Sequence, residues 1–130
     1  MRSLARETVF KFIFSKLFNS DDEGLFSVLC KELSEDDKKF AERLLNAVEE
    51  NQEQYLEALD SLATSYKLNR IINADKCAII IGMAELNAFP ETDVPIIIDE
   101  AVKLCAKFST ENSVYFVNGI LGEYANRIRG

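Results

Sequence analysis

Most residues able to do chemistry in this 130-residue chain are acidic. Paired carboxylates can act as general acid and base, and the chain has 22 Asp and Glu residues. Among them, Glu85 stands alone inside an otherwise apolar run, "GMAELNAF". A carboxylate placed there needs a basic or backbone partner. "DDEG" at 21–24 is too short for a calcium loop, which takes about 12 residues and a terminal Glu. The chain has no His, which excludes a His base, a His metal site and a Ser-His-Asp triad. Cys30, Cys77 and Cys105 are widely spaced, odd in number and set among apolar neighbours, so buried reduced thiols are expected. No P-loop, dinucleotide or nucleophile-elbow motif occurs. The sequence therefore predicts neither an enzyme, a cofactor nor a metal site.

The basic residues are more informative. A net charge of −7 opposes nucleic-acid binding in general, because phosphate contacts need local positive charge. Residues 1–18, however, carry Arg2, Arg6, Lys11 and Lys16 against Glu7 alone. At about 100° per residue, Arg2 and Arg6 stack one turn apart and Lys16 falls within roughly 80° of Arg2. This pattern fits either a solvated helix flank or a small phosphate-binding patch at one end of the molecule. The same helix carries Phe10, Phe12, Phe14 and Phe18. Phe12 lies about 160° from Phe10, so these rings must meet a second element or another protein.

The elements that would position these residues are helical throughout. Apolar spacing predicts helices over 3–18, 25–33, 35–49, 52–63, 73–87 and 96–108, and a last one ending near Arg129-Gly130. Ser34 and Asp37 make an S-x-x-D start for the third. Asp21 or Asp22 is expected to cap the second helix, and Asn112 or Ser113 the last. "SYKLNRI" reads as a short connection, and "FPETDVP" as a loop because it holds both prolines. "CAIIIGMAEL" is apolar nearly all round and is the candidate central helix. Asp99 and Lys103 form an outward i, i+4 pair. No apolar stretch reaches the ~18 residues of a membrane span.

One pair stands out in the last helix. Asn118-Gly119, in "SVYFVNGIL", is a strong turn signal, yet Phe116, Val117, Ile120, Leu121, Tyr124 and Ile128 around it keep helical spacing. A helix-interior Gly costs about 1 kcal/mol relative to Ala. The expected compensation is a packing joint, with Gly119 admitting a neighbouring helix and Asn118 bonding a helix end or loop.

Three segments resemble the NusB family of bacterial transcription antitermination factors. "VPIIIDEAVKLCAKFSTENSVYFVNGIL" is similar to the family's C-terminal signature, V-P-x-x-V-x-I-N-E-A-V-x-L-A-K-x-F followed by S-x-x-F-V-N-G-[VI]-L. "ARETVFKFIF" is similar to the N-terminal A-R motif, and "KCAIIIGMAEL" to the central motif ending in Y-E-L. The resemblance covers essentially the whole chain. It implies one all-α domain over 1–130, made of two small helical bundles at about 1–66 and 67–130. It also implies a cytoplasmic, non-enzymatic factor that binds boxA RNA of ribosomal RNA leaders. The implied partners are the small-subunit ribosomal protein NusE and elongating RNA polymerase, which the factor helps to resist termination.

Carried over residue by residue, the resemblance places Arg2, Arg6 and Lys16 at the RNA-binding end, with Asn112, Ser113 and Phe116 beside it. It places Phe14, Asp75 and Glu85 near the ribosomal-protein face. The chain departs from the family where Ile80 replaces an Arg, Ala84 a Tyr and Asp99 an Asn, and where only Arg2 remains of an arginine run. Fewer phosphate contacts imply weaker, less salt-dependent RNA binding. Two alternatives follow: a protein-only adaptor with weak or lost RNA binding, and a module of an RNA cytosine methyltransferase. The second is disfavoured because no Rossmann-like segment occurs in the chain.

Overall fold

The computed structural model describes residues 2–18, 24–63 and 70–130. The side chain of Phe18, the cap assigned to Asp21 or Asp22, "DDEG" as far as residue 23, and residues 65–69 of the "SYKLNRI" connection lie outside them. The described elements are α1 (Arg2–Phe18), α2 (Leu25–Leu29) with a 3-10 turn (Cys30–Glu32), and α3 (Glu35–Glu50). They continue with α4 (Gln52–Leu62), α5 (Asn73–Ala88), α6 (Val94–Phe108) and α7 (Glu111–Arg129). The fold is all-α, as expected, and no strand occurs among the described residues. None of these helices is long and apolar enough to cross a membrane.

Helix α5 is the axis. Every residue from Cys77 to Leu86 is buried, because α1, α3, α4, α6 and α7 all pack against it. That is the outcome expected of a helix with no polar face. α3 is one-sided instead: Phe40, Ala41, Leu44, Leu45 and Val48 face inward. Its start is the predicted one, with the Ser34 hydroxyl accepting from the Asp37 N–H at 3.2 Å. Three acidic residues in the first turn, Glu35, Asp36 and Asp37, favour the positive end of the helix dipole. α1 is sandwiched between elements, which accounts for its rings. Phe10 stacks on Phe108 of α6 at 4.7 Å, and Phe12 meets Phe26 of α2 edge-on at 5.2 Å.

Two helix ends depart from the sequence reading. α6 begins at Val94, two residues early, with Pro95 in its first turn, where a missing N–H costs nothing. α7 is capped by Thr110 rather than by Asn112 or Ser113: its hydroxyl accepts from the Ser113 N–H at 3.3 Å. Threonine at 110 sits two to three residues before the caps that the spacing suggested, so the helix starts earlier than expected. At the other end of α7, Arg129 reaches back to the C-terminus of α5. It donates to the carbonyls of Leu86 (2.8 and 3.1 Å), Phe89 (2.9 Å) and Thr92 (2.7 Å). The Leu86 carbonyl lies in the last turn of α5, and the Phe89 carbonyl also accepts from the Thr92 N–H at 3.0 Å, so a distant guanidinium ties this helix end to the loop that follows it.

The packing joint is not at Asn118-Gly119. Both residues are exposed, and a Cβ added at Gly119 would meet nothing within 4 Å. The glycine that admits a neighbour is Gly82. A Cβ there would stand 2.6 and 2.9 Å from the δ carbons of Leu121 and 3.4 Å from the Ala101 Cβ. The close approach thus lies between α5 and the buried face of α7, nearly opposite Gly119 on the helix.

This contrast has a direct test. Gly119→Ala should stabilise the fold by roughly 0.5–1 kcal/mol, the helix-propensity difference. Gly82→Ala should be net destabilising, because overpacking a filled core costs about 1–3 kcal/mol. Urea denaturation midpoints should therefore move in opposite directions; a similar gain in both variants would contradict the assignment.

Candidate nucleic-acid interface

The sequence marked Arg6 for RNA and Glu85 for a partner, but the structure joins the two. Arg6 Nε donates to Glu85 Oε1 at 2.8 Å and Nη2 to Oε2 at 2.5 Å, a bidentate pair between α1 and α5. Relative exposures are 4% and 1%, so neither group is available to a ligand at the surface. Arg6 Nη1 also donates to Glu100 Oε1 of α6 at 3.2 Å, and the Ser3 hydroxyl donates to the same oxygen at 2.6 Å. An α1 flank facing two helices that each offer a Glu is buried rather than solvated. Arg6 and Glu85 therefore hold helices together instead of contacting RNA or a partner.

Arg2, one turn earlier, stays exposed. Its guanidinium lies 4.7 Å from the centre of the Phe40 ring. It lines an open groove with Ser3, Glu91, Asp93, Ile96 and Glu100. Lys16 is also at the surface, but its ammonium pairs with Glu49 at 3.0 Å and sits 4.9 Å over the Phe12 ring. Fourteen residues of straight helix separate Arg2 from Lys16, about 21 Å at 1.5 Å per residue. The N-terminal cations thus make isolated points and not a continuous patch.

The other predicted residues do converge. Asn112, Ser113, Phe116 and Asp75 line one open cavity of about 280 Å³, together with Arg70, Ile72 and Thr110. The helix termini build this site: α5 begins here, α6 ends here, and the cap of α7 forms its wall. Ser113 itself is buried, and its hydroxyl lies 2.9 Å from that of Thr110. Asp75 is buried too. Its Oδ1 accepts from the Ser109 hydroxyl at 2.5 Å and from the Cys105 thiol at 3.6 Å. Burial, together with the Asp75 charge, pushes the Cys105 thiol up to about 11, so it stays protonated at neutral pH. Burial likewise pushes Cys77 up to about 12. All three cysteines are buried and free.

The cavity combines what a single-stranded nucleic acid uses: a half-exposed ring (Phe116), amide and hydroxyl groups (Asn112, Thr110) and a cation at the rim (Arg70). Sequence reasoning missed Arg70, since "SYKLNRI" carried no signal beyond that of a connection. Phe14 lies outside this cavity; it is half-buried and packs on Phe10 with ring centres 5.9 Å apart.

Residues 2–126 match the NusB family model. The chain belongs to the NusB family. The transcription antitermination protein NusB of Alkaliphilus oremlandii is 32% identical over 136 residues, covering 97% of this chain and 94% of that protein. The NusB of Natranaerobius thermophilus is 27% identical, with 98% and 96% covered. The solved T. maritima NusB superposes with a TM-score of 0.88 at 27% identity, over 97% of this chain and 91% of that one. The fold also matches that of a complex of antitermination factors NusB and NusE with double-stranded RNA, at 22% identity and a TM-score of 0.86.

With the family established, its motifs acquire a physical meaning in this chain. The Arg of the A-R motif, the Glu of E-L and the Glu of E-A are Arg6, Glu85 and Glu100, one ion-pair cluster. The Gly of the central motif and the Leu that ends N-G-I-L are Gly82 and Leu121, one packing contact. Removing one partner of a buried pair strands the other charge, at a cost of about 3–5 kcal/mol. Arg6→Ala and Glu85→Ala should each destabilise by that much, and the double change Arg6→Ala with Glu85→Ala by far less than their sum. A thermodynamic double-mutant cycle from denaturant unfolding checks this; additive losses would contradict the pairing.

Proposed function

We propose that this NusB-family antitermination factor binds boxA-type RNA of ribosomal RNA leaders jointly with the ribosomal protein NusE. In this reading it acts in the cytoplasm as a non-enzymatic part of the elongating RNA polymerase complex that resists termination. The observation that carries the reading is the convergence of Asn112, Ser113, Phe116 and Arg70 on one open cavity at the shared ends of α5, α6 and α7. In this reading Phe116 stacks a base, Asn112 reads or holds an edge, Arg70 and Arg2 meet phosphates, and Ser113 shapes the wall. Phe14 and Asp75 are assigned to the ribosomal-protein side. For Asp75, the support is a buried carboxylate opening on the cavity with hydroxyl and thiol partners.

A second reading, a protein-only adaptor with weak RNA affinity, is favoured by one set of observations. Arg6 is consumed internally, Lys16 is paired with Glu49, and the chain carries −7 overall. Gel-shift titration of a boxA RNA, with and without NusE, separates the two. The expected result is weak binding alone and tight, sequence-selective binding with NusE. Phe116→Ala should weaken the joint complex by about 1–3 kcal/mol, the usual worth of a base–aromatic stack. No sequence preference in either condition would leave only the adaptor.

A further inference from the structure

Three arginines stand on one pair of touching rings: the buried Arg6, 5.1 Å from the Phe40 ring, and the exposed Arg2 and Arg43. Phe40 of α3 and Phe89, just after α5, lie 5.0 Å apart. Arg2 sits 4.7 Å over Phe40, and Arg43 sits 3.9 Å over Phe89. Arg43 Nη1 donates to Glu91 Oε2 at 2.7 Å and Nη2 to Oε1 at 3.4 Å, while Nη2 also donates to the Ala88 carbonyl at 2.6 Å. Arg2 lines the groove that contains Glu91. Hydrogen bonding by Arg43, then Glu91's own backbone, and the charges of Arg43 and Arg2 hold the Glu91 carboxyl below its ordinary range.

This arrangement has the parts of an anion site with an anion already in it. Each exposed guanidinium rests on an aromatic face, which lowers the entropic cost of holding it in place. A two-oxygen carboxylate occupies the place that two phosphate oxygens would take. Arg43 and Glu91 are each about half exposed, at 50% and 49%. An ion pair at that exposure is weakly held and screened by salt, so a polyanion can compete for it. Asp93 and Glu100 line the same groove, but Glu100 is engaged by Ser3 and Arg6. Asp93 is exposed in the groove, and Glu91 is the carboxylate bonded directly to Arg43.

We propose that Arg2 and Arg43 form one phosphodiester-binding site in which the Glu91 carboxylate is the resident counter-ion that an RNA phosphate displaces. The site rests on the RNA-binding reading above and extends it to a face that the cavity of Phe116 does not reach. It supplies a reason for the weak RNA binding expected of the isolated chain: a phosphate that enters this site must first expel a carboxylate.

The test is RNA affinity across a salt series, with NusE present, for the wild type, Glu91→Gln, Arg43→Gln and the double variant. Glu91→Gln should tighten binding roughly two- to fivefold, the size of one exposed charge pair. It should also steepen the log–log salt slope by about 0.7, one single-strand phosphate contact. Arg43→Gln should reverse both gains when added to Glu91→Gln. A purely structural role for Arg43, which caps Ala88, would lower the melting temperature and leave the slopes alone, and that result overturns the site. If Phe116→Ala weakens binding while the Glu91 and Arg43 variants match the wild type, the site falls and the RNA reading stands. If the wild type binds no RNA with NusE present, both fall.

Discussion

The bidentate pair between Arg6 and Glu85 is the constraint around which the rest of the molecule is arranged. It lies at the crossing of α1 and α5, the point where the N-terminal helices meet the axis of the fold. A guanidinium and a carboxylate can both be buried only if their geometry is close to ideal and their remaining donors are satisfied. Here the third donor goes to Glu100, and Glu100 is in turn steadied by Ser3. Three helices are thereby set in one register. Apolar packing alone would permit α1 to slide along α5; a fixed fork of donors does not.

Around that pin, the core is closed by contacts that are individually ordinary. Gly82 gives Leu121 room to sit against α5, and Arg129 returns from the end of α7 to tie the end of α5 to the loop that follows it. The rings of α1 divide between α2 and α6. Each is a long-range solution to a local need: a helix end without a cap, a ring on the wrong side of a stripe, an apolar helix with no free face. The cavity of Asp75, Ser113 and Phe116 arises from the same logic. It sits where three helix termini meet, and unpaired backbone groups and capping hydroxyls concentrate at such places.

The chain carries −7 in sum, and several of its surface cations are paired locally. Glu7 holds Lys107 at 2.8 Å, Glu49 holds Lys16, and Glu91 holds Arg43. In the RNA-binding reading proposed above, contact would rest on a few exposed cations and on aromatic stacking more than on a broad positive field, in keeping with the modest arginine content of the N-terminus.

Much of the architecture was legible in the sequence because helix formation depends on local spacing. The 3.6-residue stripes of α3 and α6, the Ser34 cap, the Asp99–Lys103 pair and the all-round apolarity of α5 need only near neighbours to be read. The Val-Pro, Asn-Gly and Glu-Ala strings sufficed for the family. What tertiary structure alone decided was which of those residues face one another. The apolar run around Glu85 called for a buried partner, but Arg6 is separated from it by 79 positions and nothing local named it as that partner. Asn118-Gly119 looked like a joint because a helix-interior glycine needs a reason, but the periodicity does not say which of two glycines has a neighbour above it. Arg70, Arg43 and Arg129 carried no motif, and their roles exist only because the ends of other helices arrive beside them. Hydrophobic periodicity is a property of one segment. Burial of charge, capping from a distance and the shape of a site belong to the places where segments meet.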